Sequence, residues 1–524
     1  MTCAQLPLQP SCRPRRGTPA LPLLGAVLLA SVLGGCAVGP DYEAPVLMMP
    51  ATWGASSTVV ATDGKDAAAA KPPQLGRWWE RLNDKALNRL VEEAVAGNLD
   101  VATAKARVRQ ARATYRQAVG GLFPTATGSG SYTRGQDGSN VSSSGDVTVS
   151  GPYDSYQFGL NASWELDLFG ANRRAAEAAK YGLDASEESL RNTLLTLVGD
   201  VATYYAEARG YQARIDLAQR TATSQRETAV LTRTKLQAGS ASAVDVANAE
   251  GQAASTEANI PALRSSYQQA VNRLSILLGA PPSTLNAYMR KSAPIPVPRL
   301  PIPKGVPANV LVSRPDVRMA ERQLAQYTAQ VGEAQAALYP DVSLAGNIDT
   351  SGTKFGDLGK SSSISWSFGP SVTVPIFNAG QLQAAVEYAQ AQRDQYFLAY
   401  RSAVLTALED VENAMVALQQ GRIQSRSLAA SASSYRQAAS LSRSLYQAGA
   451  TSFLEVLDAE RSLYTAEDSY LESRVSIATQ YVNLNKALGG GWDGAVDSRT
   501  PEITDDMGPR FVKADWAKHF MKLN

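Results

Sequence analysis

The 524-residue sequence sets 50 Lys and Arg against 48 Asp and Glu, for a formal charge of +2, and carries only three cysteines and one histidine. So balanced a chain has no electrostatic footprint for nucleic acid. With His519 as the only histidine, and neither a phosphate-cradling glycine loop nor a nucleophile elbow, histidine-based, zinc-based and acyl-transfer catalysis have no foundation, and no enzyme is expected.

Arg13, Arg15 and Arg16 form a basic segment before an apolar run, Leu21 to Leu33, that is too short for a stop-transfer helix. The run ends Leu33-Gly34-Gly35-Cys36, the form of a lipoprotein signal in which Cys36 receives a lipid. Residues 1–35 are therefore expected to be removed. Ala37, in place of an aspartate after the cysteine, points to the outer membrane. Removal takes away Cys3, Cys12 and three arginines, leaving a formal charge of −1 and no second cysteine, which excludes a disulfide framework. Residues 36–76, rich in Ala, Pro and Ser, read as an extended lipidated tether, with the folded part beginning at Trp78-Trp79.

The rest of the chain is a duplication. Asn98-Leu99-Asp100-Val101 opens a helical stretch ending at Leu122-Phe123-Pro124; Arg314-Pro315-Asp316-Val317 opens one ending at Leu338-Tyr339-Pro340. Asp100 to Asp316 and Pro124 to Pro340 are both separated by 216 residues, far longer than a solenoid period of about 20–50. Two repeats are expected, 77–280 and 314–492, joined by a Pro-rich connector at 281–313 and followed by a polar tail at 493–524. Within each the order reads helix, strand, strand, long helix, tight turn, helix.

The long helix of the first repeat, expected over about 172–236, carries apolar or small residues at Leu190, Leu194, Leu197, Val201, Tyr204, Ala208, Tyr211, Ile215 and Ala218. Steps of four and three mark the seam of helices packed side by side. Val404, Leu408, Val411, Met415 and Leu418 repeat it within a second long helix at about 381–446. Helices of about 65 residues measure about 100 Å, whereas globular helices average about a dozen residues. Return helices are expected at about 242–278 and 452–488, with Gly239 and Gly449 at the reversals and Ser242 and Ser452 as N-caps.

Heptads alone would suit a lipid-anchored periplasmic coiled-coil scaffold. The strands argue otherwise. Tyr156, Phe158, Leu160, Ala162, Trp164, Leu166 and Leu168 alternate with polar or small residues over an expected strand at about 155–169; Ile364, Trp366, Phe368, Val372, Val374 and Ile376 do so over about 363–377. Aromatics on one face at period two match strands with lipid outside and water inside. Their hairpin partners are expected at about 124–134 and 340–350. Four strands cannot close a membrane barrel, so the chain must share one with copies of itself: two would give eight strands around a filled interior, three would give twelve around a lumen.

These features together resemble a TolC-like outer-membrane efflux protein of the lipoprotein (NodT/OprM) branch. The resemblance is carried by Trp78-Trp79, Asn98-Leu99-Asp100, Arg314 to Glu321, Gln447-Ala448-Gly449 and Ala487-Leu488-Gly489-Gly490-Gly491-Trp492, in order and spaced over nearly the whole mature chain. It implies a mainly α fold with membrane β structure, in which four strands per chain complete a trimeric twelve-stranded β-barrel on a long periplasmic α-helical barrel. It also implies a homotrimer in a Gram-negative outer membrane, no cofactor beyond the lipid, and two partners: a periplasmic adaptor and an inner-membrane transporter, commonly proton-driven. Drug, metal and protein export all remain open.

The family's closed end maps to the helix reversals. Leu454, Asp458 and Arg461 match constriction residues of the lipoprotein branch, and Glu455 an acidic position in TolC itself. Glu455 and Asp458 share a helix face, so threefold symmetry would turn each into an acidic ring. On the pattern alone a solvated helix face is the simpler reading. In the first repeat Asp245 stands where Glu455 does, but Asn248 replaces the second acid. Adaptor contacts are expected at Gln237, Ala238, Gly239 and Ser240 and at Gln447, Ala448, Gly449 and Ala450.

Overall fold

The computed structural model describes residues 37–46, 75–136, 140–141, 147–148, 151–298, 311 and 313–501. The expected signal peptide, Cys36, most of the 36–76 tether, connector residues Pro301, Pro303 and Pro307, and the tail beyond 501 lie outside the described residues. Two compact units emerge, and each takes part of the two long helices.

The first unit holds residues 37–41, 117–177 and 328–390. Its centre is an antiparallel sheet of β1 (Thr125–Gly135), β4 (Tyr153–Glu165), β5 (Asp341–Gly352) and β6 (Ile364–Thr373), in that order. Two short strands, β2 (Asn140–Val141) and β3 (Val147–Thr148), pair with each other in the β1–β4 connection. The β4–β5 pairing joins the two repeats, with Leu160 opposite Ile348 and Trp164 opposite Leu344. Because side chains alternate along each strand, Phe158, Leu160, Trp164, Ile348, Trp366, Phe368 and Val372 share one exposed face. Their odd-numbered neighbours, such as Asn161, Ser163, Asn347 and Ser367, form the polar face.

β4 ends at Glu165 and β6 at Thr373, short of the 169 and 377 that alternation reaches. After Glu165 the carboxylate of Asp167 accepts from the amides of Asn172 (3.1 Å) and Arg173 (2.9 Å), so the chain turns to start a helix. After Thr373, Pro375 has no amide to donate to a ladder.

The second unit holds residues 42–116, 178–327 and 391–501 among those described. A 3-10 turn at Trp78–Leu82 precedes α1 (Lys85–Gly97) and α2 (Leu99–Gly120); the first long helix α3 (Ala171–Gln237) and its return α4 (Ala243–Leu277) follow. A single turn α5 (Asn286–Met289) lies in the connector, then come α6 (Pro315–Ala336), the second long helix α7 (Gln381–Gln447) and its return α8 (Phe453–Ala487). No helix among the described residues is long and apolar enough to cross a membrane.

Helix α1 is not anticipated by the expected element order, whose first helix opens at Asn98. Its signals are present: Asp84 caps the amides of Ala86 and Leu87, and Leu87, Leu90, Val91 and Ala94 recur at helical spacing and are all buried. Trp78 and Trp79 are buried, edge-on to each other; Trp78 meets Tyr481 edge-on at 5.9 Å, and Trp79 stacks on Trp492 at 6.1 Å. The two ends of the duplicated region thus close on each other through aromatic pairs worth about 0.5–1.5 kcal/mol each beyond area burial. Most of the heptad positions that carry the expected seam are buried, among them Leu190, Leu194, Leu197 and Val201 on α3 and Val404, Val411 and Leu418 on α7.

The first, described part of the connector is strapped down. Met289 is fully buried, its carbonyl accepting from Gln212 Nε2 (2.6 Å) and the Tyr267 hydroxyl (3.0 Å), and Arg209 donates to Lys291 O at 2.7 Å.

Candidate functional site

The two helix reversals have one geometry. At the end of α3, Gly239 N donates to Leu236 O (2.9 Å) and Ser240 N to Lys235 O (2.8 Å); at the end of α7, Gly449 N donates to Tyr446 O (3.1 Å) and Ala450 N to Leu445 O (2.8 Å). This paired capping needs a left-handed residue, and Gly239 and Gly449 supply it at φ 75° and 78°. Gln237, Ala238, Gly239 and Ser240, like Gln447, Ala448, Gly449 and Ala450, are thereby exposed on hydrogen-bonded turns.

The return helices start differently. Ser242 and Asp245 form a reciprocal capping box, Asp245 N donating to Ser242 Oγ at 3.1 Å and Ser242 N to Asp245 Oδ2 at 2.9 Å. Ser452 occupies the N-cap position without a side-chain cap, contrary to expectation. Glu455, one methylene longer than Asp245, instead accepts from the Thr451 hydroxyl. The first-repeat acid is spent on its own backbone, while its counterpart faces outward.

Leu454 is 57% exposed, and Glu455, Asp458 and Arg461 are exposed with it along one side of α8. Among the described residues neither Asp458 nor Arg461 has an ion-pair partner within the chain. The opposite side of α8 is buried: Phe453 and Val456 pack with Ala229, Ala249 and Tyr446. Tyr446 sits edge-on to Phe453 at 6.0 Å, lies under the Lys235 ammonium at 4.9 Å, and donates to Thr232 Oγ1 at 3.2 Å.

Sequence reasoning missed Glu460. Its carboxylate, 7% exposed, accepts from Arg443 at 2.6 Å and from the Thr228 hydroxyl at 3.0 Å. Arg443–Glu460 is one rung of a two-rung ladder between α7 and α8, the other being Arg436–Glu467. The first repeat has the same ladder between α3 and α4, Arg226–Glu257 and Arg233–Glu250, each residue 210 positions earlier. Aligning the long helices on that offset would have revealed all four rungs. The second-repeat inner rung alone is buried and tied to the other repeat's long helix.

Both repeats match the model of one protein family, Outer membrane efflux protein, over residues 90–280 and 306–490. Nodulation protein T of Rhizobium leguminosarum bv. trifolii is 36% identical over 471 residues, covering 88% of this chain and 96% of its own. The solvent efflux pump outer membrane protein SrpC of Pseudomonas putida is 34% identical over 462 residues, again covering 88% and 96%. The solved structure of the outer-membrane channel OprN is similar at a TM-score of 0.79 and 33% identity, over 87% of this chain and all of that one. The mainly helical architecture of this chain, with its small four-stranded antiparallel sheet, is therefore the TolC-like channel fold. Matched along both repeats, this chain belongs to the outer membrane efflux protein family, in its NodT/OprM branch, and is an outer-membrane efflux channel.

Proposed function

We propose that this channel is the passive exit duct of a tripartite efflux system, formed by three copies of the chain in a Gram-negative outer membrane and anchored by a lipid on Cys36. The observation that carries the reading is the sheet: a four-stranded ribbon with large apolar side chains exposed on one face and, among the described residues, with β1 and β6 unpaired on their outer edges. Open edges are not tolerated in lipid. Three such ribbons joined edge to edge close twelve strands around a polar lumen.

The duct hydrolyses nothing. An inner-membrane transporter, expected to be proton-driven, supplies the energy, and a periplasmic adaptor seats on the turns at 237–240 and 447–450. Leu454, Glu455, Asp458 and Arg461 form the closed end. Opening is an iris-like shift of the return helices, favoured because the adaptor binds the open state better.

The test is the mass of the crosslinked oligomer recovered from outer membranes, together with conductance in planar bilayers. A trimer that inserts as a channel is the expected result. A monomer or dimer, or a trimer that never conducts, would sink the duct.

A further inference from the structure

The first residues of the mature chain are held far more closely than a tether requires. In the sheet-bearing unit, Val38 N donates to Phe169 O at 3.0 Å, and Ala37 lies against Gly170 so tightly that a Cβ there would come within 2.9 Å of Ala37 Cα. Gly39 adopts φ 99°, and a Cβ built on it would stand 2.4 Å from Gly332 Cα on α6. Only glycine at both positions permits this approach.

Arg174 closes over the stretch. Its Nε donates to Val38 O at 3.3 Å, one terminal nitrogen donates to Gly39 O at 3.3 Å and to Asp41 Oδ1 at 2.7 Å, and the other to Glu177 Oε2 at 2.7 Å. The side chain is only 5% exposed. A guanidinium taken out of water is tolerated when its fork of donors is met, and here most of the acceptors belong to residues 38–41. The magnitudes show what is gained. A flexible 36–76 segment would let a lipid wander about 35 Å from the folded part. Docking from Ala37 leaves one residue of slack, about 3.8 Å.

We propose that Arg174 is the positioning residue for the lipid anchor, an inference that rests on lipidation of Cys36. It seats residues 37–41 so that the lipid emerges at the Gly170 end of β4. From there the acyl chains lie in the apolar groove of about 510 Å³ among Leu160, Trp164, Leu344, Ile348, Trp366 and Phe368. The groove begins on the strand that ends five residues before Gly170, and its lining is almost wholly apolar, as an acyl chain requires.

Two variants of the full chain test this. Arg174→Gln removes the clamp, and Gly39→Val unseats the segment while leaving α3 untouched. Hydrogen exchange of the Val38 amide should be at least tenfold slower than the unprotected rate in the parent and lose that protection in both variants, with β4 and β5 amides unchanged. In cells fed a photoactivatable fatty acid, irradiation should crosslink the N-terminal lipopeptide to peptides containing Trp164 or Trp366, several-fold less in Arg174→Gln. Unprotected Val38 in the parent, protection retained in both variants, or crosslinks that Arg174→Gln leaves unchanged would overturn the seat. The mass of the N-terminal peptide separates the two readings. An acylated but unprotected peptide overturns the seat alone; a protected but unacylated one overturns the anchor role and the lipidation of Cys36 together.

Discussion

Leu195 and Leu405 hold the same place on the two long helices, 210 residues apart, yet Leu195 is 8% exposed and Leu405 59%. Leu195 is covered by Gly491, just past α8, where an added Cβ would lie 3.2 Å from Leu195 Cα. The residue 210 positions before Gly491 is Pro281, just past α4. If one operation relates successive repeats around a ring, Pro281 of a second copy covers Leu405. The strand ends follow the same rule: Phe169 stacks on Tyr339 at 4.8 Å, while their counterparts Phe377 and Phe123 are left 89% and 56% exposed. Cysteines at 405 and 281 together should therefore oxidise into a ladder that stops at the trimer in outer membranes, and neither alone should do so. A missing ladder, or one stopping at the dimer, would refute the ring.

The proposed gate carries a test that separates the repeats. Three copies would bring six exposed carboxylates of Glu455 and Asp458 into one constriction, where they repel one another and select cations. Glu455→Ala with Asp458→Ala is expected to raise single-channel conductance and weaken cation preference. Asp245→Ala should leave conductance alone, because Asp245 is engaged in its capping box; its cost is about 1 kcal/mol of helix stability. Unchanged conductance in the double variant would remove α8 from the gate.

Burial decides how much each ladder rung matters. Glu250, 47% exposed, meets Arg233 in water, so Glu250→Ala should cost about 0–1 kcal/mol. Glu460 is buried between Arg443 and Thr228; the Thr228 hydroxyl can still donate to Ser224 O, but the Arg443 guanidinium loses its charged acceptor, so Glu460→Ala should cost about 1.5–3 kcal/mol. Denaturant titration of the two variants side by side measures the difference. Equal losses would mean that the buried rung is not what fixes α8 against α3.

The fold was largely legible because duplication and period carry over long stretches: heptads over α3 and α7, alternation over β4 and β6. Helix α1 was not, since its cue is a single Asp cap before four apolar residues. The candidate gate face was legible as exposed acids at helical spacing, but its rear face was not. Glu460 reads in sequence like any solvated glutamate; only the packing of α8 against α3 buries it. Docking of residues 37–41 was likewise hidden, because its determinants, Arg174 and Gly332, lie 133 or more residues away.

Arg314 and Asn98, equivalent openers of the two repeats, both reach the end of their own return helix: Arg314 donates to Ala487 O at 2.8 Å and Asn98 Nδ2 to Leu277 O at 2.9 Å. Each satisfies a terminal carbonyl the helix cannot. Arg314 additionally forks onto Asp316 at 2.7 and 3.0 Å. Burial pushes the Asp316 carboxyl upward, but hydrogen bonds and charge from Arg314, with the Val317 amide, outweigh it and hold the group below its ordinary value of 3.8. A carboxyl with a depressed folded pKa contributes stability that is complete above the unfolded value and lost as pH falls through the folded one. The parent should therefore lose part of its thermal stability below about pH 4. Asp316→Asn should melt lower at neutral pH and show a shallower decline in acid, as followed by circular dichroism. An acid slope identical to the parent's would place the acid-sensitive contact elsewhere.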